Sequence, residues 1–505
     1  MRVTSTLHRA YQHTPNRIAT QFGDRASTYA ETRERVSRAA AGLLRRGLGQ
    51  DERVAILALN SDHYADLFYA VPWAGGVVVP LNVRWNVHEI AYALNDSAAV
   101  VLFVDQNYVT VVDQIRELCP EVHTFVLMND GPAPEGVVAI SELSADPIED
   151  AGRSGDDLFG IFYTGGTTGS PKGVMLSHRN IMAAALGGVA DEFLTKGGTY
   201  LHAAPMFHIA DVTAWLAEAI IGGTHVILPA FDPSGVLEVS SRHSVTDALL
   251  VPTMLQAVVN HSNFGAYDLG ALKRIVYGAA PISESLLARA REALPKVEFL
   301  QAFGMTEVAI ATILRPHEHE VGRLRSAGRA AAHCEVRIVD PLAGIEVARG
   351  EVGEIVVRGD NVTQGYWNLP ELTAETIRDG WLHSGDGGYM DAEGFIYITD
   401  RLKDMIISGG ENVYSAEVEN VVSAHPAVQM CAVIGVPDNK WGERVHAVVV
   451  LAQDHELEIG ELREFCKRTL AGYKSPRSME TVEQLPLSAA GKVLKRVLRG
   501  DPAGA

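Results

Sequence analysis

The sequence predicts an α/β protein: a large N-terminal part of layered α/β units and a small α+β part at the C-terminal end. Three observations predict it. A chain of 505 residues exceeds one ordinary domain of roughly 100–200 residues. Charge-free, β-rich runs at 54–59, 100–104 and 124–128 are separated by helical stretches, as in parallel sheets covered on both faces. A second alternation begins after residue 415, with a helix at 416–422, strands at 429–434 and 447–451, and a helix at 462–470.

Each element has a local reason. Thr28 and Glu31 form a capping box, Val36, Ala39, Ala40, Leu43 and Leu44 share one helical face, and Gly47 stops that helix. An apolar strand at 158–162 runs into a glycine-rich loop. Residues 389–398 (YMDAEGFIYI) read as a hairpin turning at 391–394. His425 and Pro426 end the helix at 416–422, because the residue before a proline avoids helical backbone. The boundary between the two parts is expected near 400–403, giving units 1–400 and 401–505.

Hydrophobic residues make up 47% of the chain and charged residues 21%, enough to build buried cores and to exclude disorder as the main state. A net charge of −19 argues against nucleic acid as a partner. Cys119, Cys334, Cys431 and Cys466 lie far apart without metal-ligand spacing, so reduced thiols in a cytoplasmic protein are expected. The longest apolar run, 70–83, is broken by Pro72, Gly75, Gly76 and Pro80 and is too short for a transmembrane segment. The first residues carry no apolar signal core.

The most informative stretch is FYTGGTTGSPKG over 162–173. Four glycines let the backbone approach a ligand closely, and Thr164, Thr167, Thr168, Ser170 and Lys172 add hydroxyls and an ammonium. Exposed N–H groups with such side chains suit polyphosphate oxygens. Neither GxxxxGK[ST] nor GxGxxG fits, so the loop points to a nucleoside triphosphate bound by a less common architecture.

With six further motifs in order, the chain resembles the adenylate-forming (AMP-binding, ANL) superfamily of acyl-CoA synthetases, peptide-synthetase adenylation domains and luciferases, with amide bond synthetases as close relatives. These motifs are PMFH at 205–208, GAAP at 278–281, QAFGMTE at 301–307, WLHSGD at 381–386, DRLKD at 400–404 followed by SGGEN at 408–412, and PLSAAGK at 486–492. One departure is Gly166, where the family loop usually carries serine. The resemblance implies a large adenylation domain followed by a small mobile lid, with ATP and Mg²⁺ in use.

The resemblance also implies roles. Thr164, Gly165, Gly166, Thr167, Thr168, Gly169 and Lys172 would hold phosphates, and Gly278, Ala279 and Ala280 would run beside the adenine. Phe303 would stack on it, with Gly304 and Met305 in the adenylate segment and Thr306 bonding the α-phosphate. Glu307 would hold the metal, a hard cation that prefers oxygen donors. Asp386 and Arg401 would take the ribose, and Lys403 would be the hinge between two domain orientations. One orientation brings in Lys492 to bridge carboxylate and α-phosphate. The other brings Gly409, Gly410 and Glu411 to the route of the incoming thiol, with Trp441 contacting the CoA nucleotide. Carboxylate attack on an α-phosphorus joins two anions, so it needs positioning and cations above all.

By position the acyl pocket is lined by His208, Ile209, Ala210, Tyr277, Gly278, Ala309 and Ile310. It is apolar, with one imidazole, which suits an aryl or medium-to-long alkyl acid. Asp211, where many relatives have glycine, is either a structural carboxylate or a base that deprotonates an amine. The leading expectation is therefore an acyl-CoA synthetase using CoA, and the alternative is an amide-forming ligase using an amine. A silent adenylate-binding regulator is disfavoured by Lys492 and Glu307, and a peptide-synthetase module by the lack of a carrier domain within 505 residues. Expected partners are small molecules, and a homodimer stays open. His317-Glu318-His319-Glu320 lacks the i, i+4 histidine pair of a zinc site and reads as a solvated loop.

Overall fold

The computed structural model describes residues 1–129, 131–164, 171–319, 323–401, 405–408, 411–488 and 493–500. Among them the strands form four sheets. One runs Arg329–Ala330, Thr312–Leu314, Glu298–Phe303, Arg274–Gly278, Asp247–Leu249, Thr199–His202, Thr224–Ile227, Ile18–Phe22 and Arg25–Thr28, in that spatial order. Its middle pairings are parallel, and its edges turn antiparallel.

A second sheet places Leu158–Thr164 beside Val77–Pro80, in parallel with Arg53–Leu57, Ala99–Val104 and Thr124–Leu127. The charge-free runs are therefore buried parallel strands, for the reason their composition gave. Lys172–Ser177 and Gly365–Tyr366 extend this sheet antiparallel. The long apolar run divides between helix Asp62–Trp73 and strand Val77–Pro80, with Gly75 turning the chain at φ +92°. Thr28 caps helix Tyr29–Arg45 through the expected box with Glu31. The helices between the two sheets and their facing sides share one large core, which includes Phe68, Phe159, Tyr200 and Trp215.

A third, antiparallel sheet holds Cys334–Val339, Gly353–Gly359, Trp381–Met390 and Ile396–Arg401, the last two joined at Asp391–Gly394 as the sequence predicts. The fourth sheet, Glu411–Val413, Ile406–Ser408, Gly442–Leu451, Val428–Asp438 and Ser478–Thr481, packs helices Ser415–Val422 and Ile459–Cys466 over a hydrophobic cluster of its own. All four cysteines are free, and burial pushes the Cys119 and Cys466 thiols up to about 11. No helix among the described residues is long and apolar enough to cross a membrane.

Candidate active site

Thr164 ends one strand and pairs with Lys172, which begins the next, so the glycine-rich loop is the connection of an antiparallel hairpin. Gly165, Gly166, Thr167, Thr168 and Gly169 lie outside the described residues. The hairpin base is anchored: Tyr163 donates to Asp96 at 2.6 Å, and Trp85 packs edge-on against the Tyr163 ring.

Two tight backbone approaches shape the segments that the sequence assigns to the nucleotide. A Cβ on Gly278 would lie 2.0 Å from the Ala302 carbonyl oxygen, and one on Gly304 would lie 2.0 Å from that of Ala309, so neither position accepts a side chain without moving backbone. Ala279 and Ala309 both hold left-handed backbone, at φ +61° and +57°, a strain that surrounding packing must sustain. The loop after Phe303 closes on itself, since the Ala311 N–H donates to Phe303 and the Ala309 N–H to Met305. Asn361 Nδ2 donates to the Val308 and Ile310 carbonyls. Phe303 and Met305 lean on the core of the third sheet, Ala280 and Thr306 are half-buried, and Glu307 is 7% exposed.

Asp386 and Arg401 are cross-strand partners in the third sheet, although fifteen positions separate them in the chain. Ser408 pairs with the exposed Glu411 on one side and with Gly442, the neighbour of Trp441, on the other. The Trp441 ring carries the Arg477 guanidinium at 4.2 Å and the Lys440 ammonium at 4.9 Å, so this face is cationic. Gly409, Gly410, Lys403 and Lys492 lie outside the described residues. Ser488, four positions before Lys492, accepts a hydrogen bond from Arg84 at 2.9 Å, and the Gln429 carbonyl accepts one from Gln256 at 3.2 Å. Arg84 immediately precedes Trp85, so residue 488 stands on the phosphate-loop side of the large domain.

On the acyl side His208 caps helix Ile209–Ile221, its Nδ1 accepting from the Ala210 N–H at 3.2 Å. Ile209 is buried, Ala210 is partly so, and the Ile310 side chain reaches the Gly188 backbone near Phe193. Two residues placed at this pocket by sequence position turn away from it. Tyr277 is fully buried and its hydroxyl meets His319 at 2.9 Å. Asp211, also fully buried, accepts from His202 Nδ1 at 2.7 Å, and His202 Nε2 meets His225 at 3.0 Å. Helical rotation explains Asp211: three positions past His208 it falls on the face that packs onto the sheet.

The solvated-loop reading of 317–320 needs a similar correction for its middle. Glu318 is 3% exposed and paired with Arg329, and His319 is 4% exposed, its pKa lowered to about 4 by burial. Sequence reasoning missed Tyr366, whose hydroxyl donates to Glu307 Oε1 at 2.7 Å and whose ring lies 5.9 Å from Lys172 Nζ. Its one visible signal was the Gly365-Tyr366-Trp367 run, with Gly365 at φ +125°.

The geometry thus ties the two strands that flank the glycine-rich loop, through Tyr366, to a strained segment with a buried carboxylate, and pairs Asp386 with Arg401 across two strands. Comparison with known proteins agrees. The AMP-binding enzyme family model matches residues 7–367, and the AMP-binding enzyme C-terminal domain model matches 417–492. A feruloyl-CoA synthase of an Amycolatopsis species is 40% identical over 486 residues, with 96% of each chain covered. A long-chain-fatty-acid–CoA ligase of Mycobacterium tuberculosis is 35% identical over 94% of this chain and 92% of its own. The solved amide bond synthetase McbA of Marinactinospora thermotolerans superposes with a TM-score of 0.89 at 30% identity, covering 99% of both chains. The chain belongs to the AMP-binding family of adenylate-forming enzymes.

Proposed function

We propose that the protein is an acid–thiol ligase for a hydrophobic carboxylic acid, aryl or medium-to-long-chain alkyl. The carboxylate attacks the α-phosphorus of ATP, the bond to the β-phosphate breaks, and pyrophosphate leaves. The CoA thiol then attacks the acyl carbon, AMP leaves, and the thiol proton passes to solvent. In this reading the glycine-rich loop and Lys172 hold the phosphates, Phe303 and residues 278–280 hold the adenine, and Asp386 with Arg401 holds the ribose. Lys492 neutralises charge between the carboxylate and the α-phosphate, where it counts most in a dry site. Residues 401–505 act as the lid, turning about Lys403, and Gly409, Gly410, Glu411 and Trp441 line the thiol route.

Glu307 fits Mg²⁺. It is a buried hard-oxygen donor whose only described side-chain partner is the neutral Tyr366 hydroxyl, which offers no opposing charge. Mg²⁺ is commonly held by one or two carboxylates together with substrate phosphates, and Glu307 is the carboxylate that would hold it here. When bound, Mg²⁺ would neutralise charge on the phosphate oxygens.

One observation carries the choice of acceptor. The carboxylate of Asp211 is engaged by His202 at 2.7 Å with no exposed surface, so it offers no base to an incoming amine. An amine arrives as ammonium and needs such a base, whereas a thiol with a reference pKa near 8.5 does not. The feruloyl and long-chain relatives support an aryl or alkyl acid for a pocket lined by Ile209, Ala309 and Ile310. A pyrophosphate-release screen over both acid classes, with CoA, with amines and with neither, tests the reading. Thioester formation with a hydrophobic acid is expected; amide formation at near-stoichiometric amine together with indifference to CoA would overturn it.

A further inference from the structure

We infer that Tyr366 is a positioning residue for adenylation: its hydroxyl sets the Glu307 carboxylate and its ring face locates Lys172, so one side chain ties the metal-side acid to the phosphate loop. The inference rests on the roles proposed for Glu307 and Lys172.

The backbone around Tyr366 is built for this. Asn361 holds the carbonyls of Val308 and Ile310, and the Thr363 N–H donates to the Glu307 carbonyl at 2.8 Å. Three residues on, Tyr366 pairs with Val174, and the Trp367 N–H donates to Gly173, beside Lys172. Trp367 Nε1 then donates to the Asp96 carbonyl, and the same residue's carboxylate accepts from Tyr163 at the other side of the hairpin. Residues 361–367 therefore strap the adenylate segment to both strands flanking the glycine-rich loop. Within that strap, Tyr366 is the residue whose side chain reaches both charged groups.

The chemistry of a tyrosine suits the place. Tyr366 is 8% exposed and Glu307 7%, so an unpaired carboxylate oxygen there would be costly. An arginine or lysine partner would fix Glu307 equally well but would cancel the negative charge a cation needs. A neutral hydroxyl orients the group and leaves the charge and the second oxygen for the ligand. The ring also offers its negative face to the Lys172 ammonium, within the range of a cation–π contact.

Tyr366→Phe removes the hydroxyl and keeps the ring. Pyrophosphate release should slow by about tenfold, the loss of one hydrogen bond to a charged group. Transfer from synthetic acyl-adenylate to CoA should change less than about twofold, and circular dichroism should show the fold intact while the melting temperature falls by a few degrees for the oxygen left unpaired. In a Glu307→Gln background the same change should cost less than about twofold more, because residues acting through one another are not additive. Tyr366→Leu, which also removes the ring, should raise the KM for ATP above that of Tyr366→Phe. The inference is overturned if Tyr366→Phe adenylates at the wild-type rate, slows both half-reactions alike, or adds its full penalty to Glu307→Gln. A Glu307→Gln enzyme with wild-type adenylation would overturn the Glu307 role itself, and the inference with it.

Discussion

Helix Ile209–Ile221 buries a second carboxylate, Glu218, with no exposed surface. Among the described residues neither of its oxygens has a hydrogen-bond partner. Burial, aided by the nearby Asp247 charge, raises its pKa from an ordinary 4.5 to about 8. Gly223 makes the room: a Cβ there would lie 1.5 Å from Glu218 Oε1. Glu218 is therefore held protonated at neutral pH, and this links stability to pH with a definite sign. Below pH 4.5 folded and unfolded chains both carry the proton, and its stabilising contribution is fully present. Between 4.5 and 8 the unfolded chain releases the proton while the folded one keeps it, so stability falls as pH rises and levels off above 8. The upper bound on that loss is about 5 kcal/mol, at 1.36 kcal/mol for each pH unit of displacement. Glu218→Gln keeps the shape and removes the titration. Its melting temperature should differ little from wild type at pH 5 and exceed it by about 2–5 °C at pH 8. Scanning calorimetry at pH 5, 6.5 and 8 measures this. Parallel curves for the two proteins across that range would refute a protonated Glu218.

Three further outcomes follow from the site. Lys492→Ala should reduce adenylation by about 10²-fold or more while supplied acyl-adenylate still gives thioester; equal failure from acid plus ATP and from adenylate would remove its assigned role. Arg84→Ala, which cuts the bond to Ser488, should slow pyrophosphate release by about three- to tenfold and leave transfer from adenylate unchanged; rapid-quench measurement of both half-reactions decides it. Lys403→Pro fixes φ near −65° and should trap the orientation that presents residue 488 to the phosphate loop. Adenylation should then survive better than transfer, with circular dichroism confirming the fold, and a preferential loss of adenylation would contradict the assignment.

The reading from sequence succeeded where one local rule decides the outcome. The capping box at Thr28, the charge-free strands and the hairpin at 391–394 are each specified by neighbours in the chain, and all formed. Gly278 and Gly304 stand where backbone approaches leave no room for a Cβ, so their place in short motifs was informative. Reading failed where direction or long range decides. Tyr277 sits one residue before Gly278, and strand alternation sends its side chain to the other face, against His319. Tyr366 reaches Glu307 across fifty-nine positions, a contact with no local signature.

Helix Ile209–Ile221 shows why those failures concern polar groups most. Asp211, Trp215 and Glu218 are spaced to share one face, and that face packs on strands Thr199–His202 and Thr224–Ile227. A pattern search that assigns charge to the solvent side turns this helix around, because two of its inward positions are acids. The sheet accepts them by two different solutions. Asp211 is matched by His202, itself backed by His225, so its carboxylate is hydrogen-bonded within the core. Among the described residues Glu218 has no comparable side-chain partner, and burial outweighs the opposing pull of Arg17 and the Thr224 backbone, so it gives up its charge. The paired solution stands at the end nearer the acyl pocket, where the Asp211 and Val212 N–H groups also donate to the His208 carbonyl. The buried pair thus pins the first helical turn, and with it the imidazole of His208, expected from sequence at the acyl pocket. Asp211 would then matter to catalysis by holding His208 still, a role that needs a buried, occupied carboxylate and not an accessible base.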